Sequence, residues 1–168
     1  NSDRRQRQMC IRDRYNALEK NLYRNSNHEK VVVKPNLMQR EALANIENIR
    51  SKGNTKALLI SATGTGKTYL SAFDVQKFKP QKFLFIVHRR TIAEESLKTF
   101  KRLLGDNINM GVFSGSTKDL NSDYIFSTVQ TISKQENLDL FSKNYFDYIV
   151  IDETHRAGAK SYLSLIHI

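Results

Sequence analysis

Gly64, Gly66 and the pair Lys67-Thr68 close residues 57–68, a stretch that opens as a short apolar run and gives way to a helical pattern. Glycines let the backbone take dihedrals that other residues avoid, so successive N–H groups turn toward one anion. A helix opening near Gly66 aims its unpaired N–H groups and positive dipole end at the same point. In such a cradle Lys67 reaches the β- and γ-phosphates of a nucleotide, and the Thr68 hydroxyl ligates Mg²⁺. Ser61, Ala62, Thr63, Gly64, Thr65 and Gly66 form the loop itself, with Ser61 standing where the general pattern has its first glycine. The plainer alternative is a glycine-rich strand-to-helix turn carrying an exposed lysine.

A second candidate is the acid pair Asp152-Glu153, followed by Thr154-His155, at the end of the apolar run 148–151. In a parallel sheet, ligands gather beyond the carboxyl ends of the strands. Asp152 suits the metal, because Mg²⁺ takes few protein ligands besides phosphate oxygens and water. Glu153 suits the attacking water, which it can orient or deprotonate. Acids also favour helix starts, so a capping role stands beside the catalytic one. His155 has no companion ligands for zinc nearby, and a core or hydrogen-bonding histidine is its plain reading.

These residues need elements to hold them. From Lys56 the chain alternates strand and helix patterns, which gives an α/β fold: a mainly parallel sheet with helices on both faces. The pattern predicts strands at 57–62, 83–88, 110–113, 124–128 and 147–152, with helices at 67–79 and 91–104. The continuous apolar runs at 83–87 and 148–151 suit strands covered on both faces. Asn36 with Gln39 has capping-box spacing, and Thr91 with Glu94 repeats it. Met38, Ala42, Ile46 and Ile49 form one stripe on the first of these helices, which Gly53 ends. Ile92, Leu97, Phe100 and Leu104 face inward from the helix at 91–104.

The composition bounds the answer. The 168 residues leave room for one α/β domain with a real core. A single cysteine, Cys10, excludes an internal disulfide framework. No apolar run approaches the ~20 residues that cross a bilayer, and a soluble, cytoplasmic protein is the expectation. The net charge of +10 points to a polyanion partner, although +3 of it sits in residues 1–14 and a solvated basic surface explains the rest equally well. Residues 1–14 read as a disordered tail, 15–33 as an extension and 34–163 as the domain. Residues 9–14 and 164–168 read as adaptor-derived ends, so Cys10 and His167 receive no role.

Residues 61–68 together with Asp152-Glu153-Thr154-His155 resemble superfamily two helicases of the DEAD/DEAH-box (DExH) type, closest to bacterial members akin to restriction-enzyme translocase subunits. The resemblance spans roughly residues 33–162. It implies a RecA-like P-loop NTPase domain that uses ATP and Mg²⁺, with DNA favoured over RNA as the polymer. It places Lys67, Asp152, Glu153 and His155 in the catalytic motifs and accommodates Ser61.

Weaker motifs align with the same family. Residues 34–39 resemble the segment whose glutamine reads the adenine edge; Gln39 would do this with its amide donor and acceptor, or else cap its own helix. Tyr23 is open between a core position and stacking on adenine. Residues 88–91 resemble the first nucleic-acid-contacting motif, so Arg89 or Arg90 beside a helix start would suit a phosphate, and a solvated loop is the alternative. Gly115 falls at the family's glycine near the tracked strand. Ser127, Thr128, Gln130 and Thr131 resemble the motif whose hydroxyls touch that strand, and short hydroxyls also cap helices.

The resemblance further implies a second RecA-like domain supplying an arginine finger, and accompanying nuclease or repair domains. Without that finger the chain alone is expected to bind ATP weakly and to turn it over slowly or not at all. Two rivals stay open: an ATP-gated clamp or motor that translocates without unwinding, and a P-loop ATPase that does not act on nucleic acid.

Overall fold

The computed structural model describes residues 33–62, 64–115 and 117–152. The chain divides into two units, 1–34 and 35–168, and every described helix and strand belongs to the second. Tyr23, Thr63, Glu153, His155 and both chain ends lie outside the described residues.

Helix α1 (Leu37–Ser51) starts on the expected capping box. The Asn36 side chain accepts from the Gln39 backbone N–H at 2.9 Å, and the Asn36 N–H donates to Gln39 Oε1 at 3.0 Å. Gly53, at φ +79°, follows its last turn, where a side chain would be strained. Ala42, Ile46 and Ile49 are half-buried as the stripe requires, but Met38 is 68% exposed beside the exposed Leu37. In the first turn the helix buries Gln39 rather than these two apolar residues.

Helix α2 (Lys67–Phe78) begins directly at the glycine loop, with Gly66 as its N-cap. Four parallel strands follow: β1 (Phe83–Val87), β2 (Met110–Ser114), β4 (Tyr124–Thr128) and β5 (Tyr148–Ile151). A two-residue strand β3 (Thr117–Lys118) pairs antiparallel on the outer side of β2, giving the order β3-β2-β4-β1-β5. Between them run α3 (Arg90–Leu104) and the single turns α4 (Val129–Ile132) and α5 (Gln135–Leu138).

The alternation of β1 explains the layers. Phe83, Phe85 and Val87 face α2 and α3, packing with Tyr124, Phe126 and Phe100. Leu84 and Ile86 face the other side, against Ile125, Val129, Ile132 and Phe141. All five β1 residues are buried, as a central strand covered on both faces should be. Each such side chain contributes about 1.5–3 kcal/mol by leaving water.

Two expectations need correction. Residues 57–62 form no strand: Leu58 is 75% and Ile60 87% exposed. An apolar run becomes a strand only where a ladder accepts it, and no described strand pairs with these residues. Strand β5 packs on both faces, Tyr148 and Val150 against one cluster and Ile149 and Ile151 against the other, but it stands at the end of the described sheet and its residues are only half-buried. The second capping box is also absent. Arg89, extended at φ −130° and ψ 141°, is the N-cap of α3, so Thr91 falls inside the helix. Glu94 instead accepts from Arg90 Nε at 2.8 Å, four residues away on the same face. None of the described helices is long and apolar enough to cross a membrane.

Candidate nucleotide site and nucleic-acid edge

The glycine loop owes its shape to two left-handed residues, Gly64 at φ +81° and Gly66 at φ +77°. Between them the Thr65 hydroxyl donates to the Ala62 carbonyl at 2.9 Å, and it lies 2.5 Å from the Ser61 hydroxyl. Lys67 is half-buried and folds back over the loop: Nζ donates to the Ser61 and Ala62 carbonyls, both at 3.1 Å. Among the described residues the ammonium is held by these two neutral carbonyls. Thr68 follows in the first helical turn and lines a cavity of about 230 Å³ with Thr91, Ile92 and Ser96. A second cavity, about 420 Å³, lies at the opposite, amino-terminal end of the strands around Pro80, Asp123 and Tyr124, remote from this loop.

Gln39 joins the loop from α1. It is 9% exposed, and its Nε2 donates to the Gly66 carbonyl at 3.2 Å. A Cβ on Gly66 would come within 2.9 Å of that nitrogen and push the amide aside, while the backbone angle itself favours glycine. The capping and ligand readings of Gln39 are therefore compatible. Oε1 accepts from Asn36 and Nε2 donates to Gly66, which leaves the amide one lone pair and one hydrogen.

Because β2, β4, β1 and β5 run parallel, their carboxyl ends share one edge of the sheet. Along it stand, in spatial order, Gly115 after β2, Thr128 ending β4, Arg89 after β1 and Asp152 after β5. The Asp152 N–H donates to the Ile86 carbonyl at 2.8 Å, which continues the β1/β5 ladder to the acid. Arg89 and Gln130 are exposed, Thr131 is half-buried, and Gly115 turns the chain at φ +50°. Arg90 is exposed but committed to Glu94. Thr128, 6% exposed, caps α4: its Oγ1 accepts from the Thr131 N–H at 3.3 Å and lies 2.8 Å from the Thr131 hydroxyl. Two buried polar side chains hold this turn in place, Ser127 of the motif and Asn137, which no motif singles out. Ser127 Oγ donates to the Phe113 carbonyl at 2.7 Å, and Asn137 Nδ2 to the Thr131 carbonyl at 2.7 Å. Among the described residues no three His, Cys, Asp or Glu side chains cluster as a metal site.

A glycine loop on a helix start and a four-strand parallel sheet packed with helices make a RecA-like α/β architecture. A family model described as "Type III restriction enzyme, res subunit" matches residues 32–168, and the chain belongs to that family. IRC3 of Saccharomyces cerevisiae, whose name places it among ATP-dependent helicases, is 29% identical over 76% of this chain and 20% of its own length. The type I restriction enzyme EcoKI endonuclease subunit of Escherichia coli is 32% identical over 70% of this chain and 11% of its own. The chain thus spans a fifth or less of these curated relatives. Among solved structures, the UvsW helicase of bacteriophage T4 shares the fold with a TM-score of 0.64 at 22% identity, over 80% of this chain and 48% of that one.

Proposed function

We propose that this chain is the ATP-binding first motor domain of a DNA helicase or translocase, in which ATP hydrolysis drives movement along a strand. The observation that carries this reading is the convergence on Gly66: the loop turns there, α2 starts there, and Gln39 reaches it from α1. On ATP arrival Lys67 Nζ exchanges two neutral carbonyls for charged phosphate oxygens, which accept more strongly. The N–H groups around Gly64 and Gly66 share the same charge. The spare lone pair and hydrogen of the Gln39 amide match the donor and acceptor on the adenine edge.

The Thr68 hydroxyl and the Asp152 carboxylate offer only oxygen donors, the set that suits Mg²⁺. When bound there, the ion would supply positive charge against the phosphates. Glu153 then positions the attacking water and accepts its proton. The edge carrying Gly115, Thr128, Gln130, Thr131 and Arg89 serves the sugar–phosphate backbone, whose contacts position a strand without reading its sequence. A second RecA-like domain closes the cleft and supplies the arginine finger.

The test separates binding from chemistry in the full-length protein. DNA should stimulate ATP hydrolysis, and Glu153→Gln should bind ATP normally in calorimetry while single-turnover hydrolysis falls by about 10²-fold or more. Hydrolysis at the parental rate in that variant would remove Glu153 from the mechanism, and indifference to DNA would favour an ATPase acting elsewhere.

A further inference from the structure

Helix α1 carries Gln39 to the loop, yet Gln39, at 9% exposure, is the most buried residue of that helix, and the rest are half-buried or exposed. Something besides apolar packing must fix its placement. The Lys77/Glu47 ion pair is more than half exposed at both ends and holds little. The stronger attachment is at the far end of α1. Arg50 places its guanidinium fork on Asp74 of α2, Nη1 to Oδ1 at 2.8 Å and Nη2 to Oδ2 at 2.5 Å. Its Cζ lies 4.7 Å from the centre of the Phe78 ring and 5.0 Å from that of Tyr148, and the two ring centres are 5.2 Å apart, so the cation rests against two adjacent aromatic rings. The Asp74 side chain is 3% exposed, and the Tyr148 hydroxyl donates to the same Oδ2. Burial and the bond to Asp74 hold that hydroxyl far above the usual tyrosine range, so it stays a donor.

One buried carboxylate therefore bonds to groups from the two other elements that lead to the candidate site. Arg50 comes from α1, which starts by Gln39. Asp74 sits two turns into α2, which starts at Lys67. Tyr148 opens β5, whose end leads to Asp152. Gln39 lies roughly 16 Å up α1 from Arg50 at 1.5 Å per residue, so a small rotation at Asp74 becomes a displacement at Gln39.

We infer that Arg50, Asp74 and Tyr148 are positioning residues that set the reach of Gln39 over the phosphate loop, and with it affinity and base preference for the nucleotide. This rests on the reading of that loop and Gln39 as the ATP site. The test uses the full-length protein and mild variants that keep the core filled, Tyr148→Phe and Arg50→Lys, with Gln39→Ala and Lys67→Ala as references. Steady-state kinetics with DNA should show KM for ATP raised about tenfold by Arg50→Lys, with kcat nearly unchanged and the preference for ATP over GTP reduced. Tyr148→Phe should follow in the same direction to a smaller extent. Combining Arg50→Lys with Gln39→Ala should add little to Gln39→Ala alone, because both act through one contact.

A lower melting temperature with unaltered KM and base preference would overturn the inference and leave Arg50 a structural residue. So would KM effects of Arg50→Lys and Gln39→Ala that multiply. Undiminished hydrolysis by Lys67→Ala would instead sink the nucleotide site, and this inference with it; that outcome is distinguished by the Lys67 variant alone.

Discussion

Replacing Lys67 by Ala in the full-length protein is expected to lower DNA-stimulated ATP hydrolysis by about 10²–10³-fold or more, the effect of removing a preorganised donor from developing phosphate charge. The melting temperature should hold, because among the described residues Lys67 bonds just two carbonyls of its own loop and joins neither core cluster. Arg should not rescue it. A planar guanidinium cannot take the place of a compact ammonium tucked over a tight turn between Gly64 and Gly66. A phosphate-release assay on Ala and Arg variants checks this, and substantial turnover in either would show that the lysine merely closes a turn.

The second large effect is on folding. Phe83 is fully buried at the start of β1, with Phe100 stacked at 5.5 Å and Tyr124 and Tyr148 at 5.3 and 5.8 Å between ring centres. Phe83→Ala should cost about 3–5 kcal/mol, since surrounding rings on three elements cannot all collapse into the space. Against the roughly 5–15 kcal/mol total of an ordinary domain, that is a large share. Urea denaturation should show the midpoint fall sharply with little change in slope. A loss below about 1 kcal/mol would mean that the aromatic layer is looser than its geometry indicates.

The sequence was most legible where a local rule carries the structure. The apolar run 83–87 could hardly be other than a buried strand, and Asn36 with Gln39 named a cap that the fold keeps. The glycine loop was equally legible, because Gly64 and Gly66 are needed for their backbone angles whatever surrounds them. Legibility ended where an outcome depends on distant partners. Residues 57–62 have the composition of a strand, but composition does not say which ladder receives them. Thr91 and Glu94 have the spacing of a cap, but Arg89 moves the helix start by two residues.

Asp74 illustrates the same limit from the other side. An acid between Phe73 and Val75, on the buried side of α2, is a local oddity visible in the letters. Its partners, Arg50 and Tyr148, lie 24 residues before it and 74 after, beyond any spacing rule.

The account depends on Lys67 and Asp152 holding one metal-bound triphosphate from two sides. A double-mutant cycle on Mg²⁺–ATP binding to the full-length protein, with Lys67→Ala, Asp152→Asn and the double variant measured by calorimetry, asks this directly. Residues that touch one ligand should couple by about 1 kcal/mol or more, the double variant losing less than the sum of the singles. Losses that add to within about 0.5 kcal/mol would mean that the two residues do not serve one nucleotide, and would contradict the motor reading at its base.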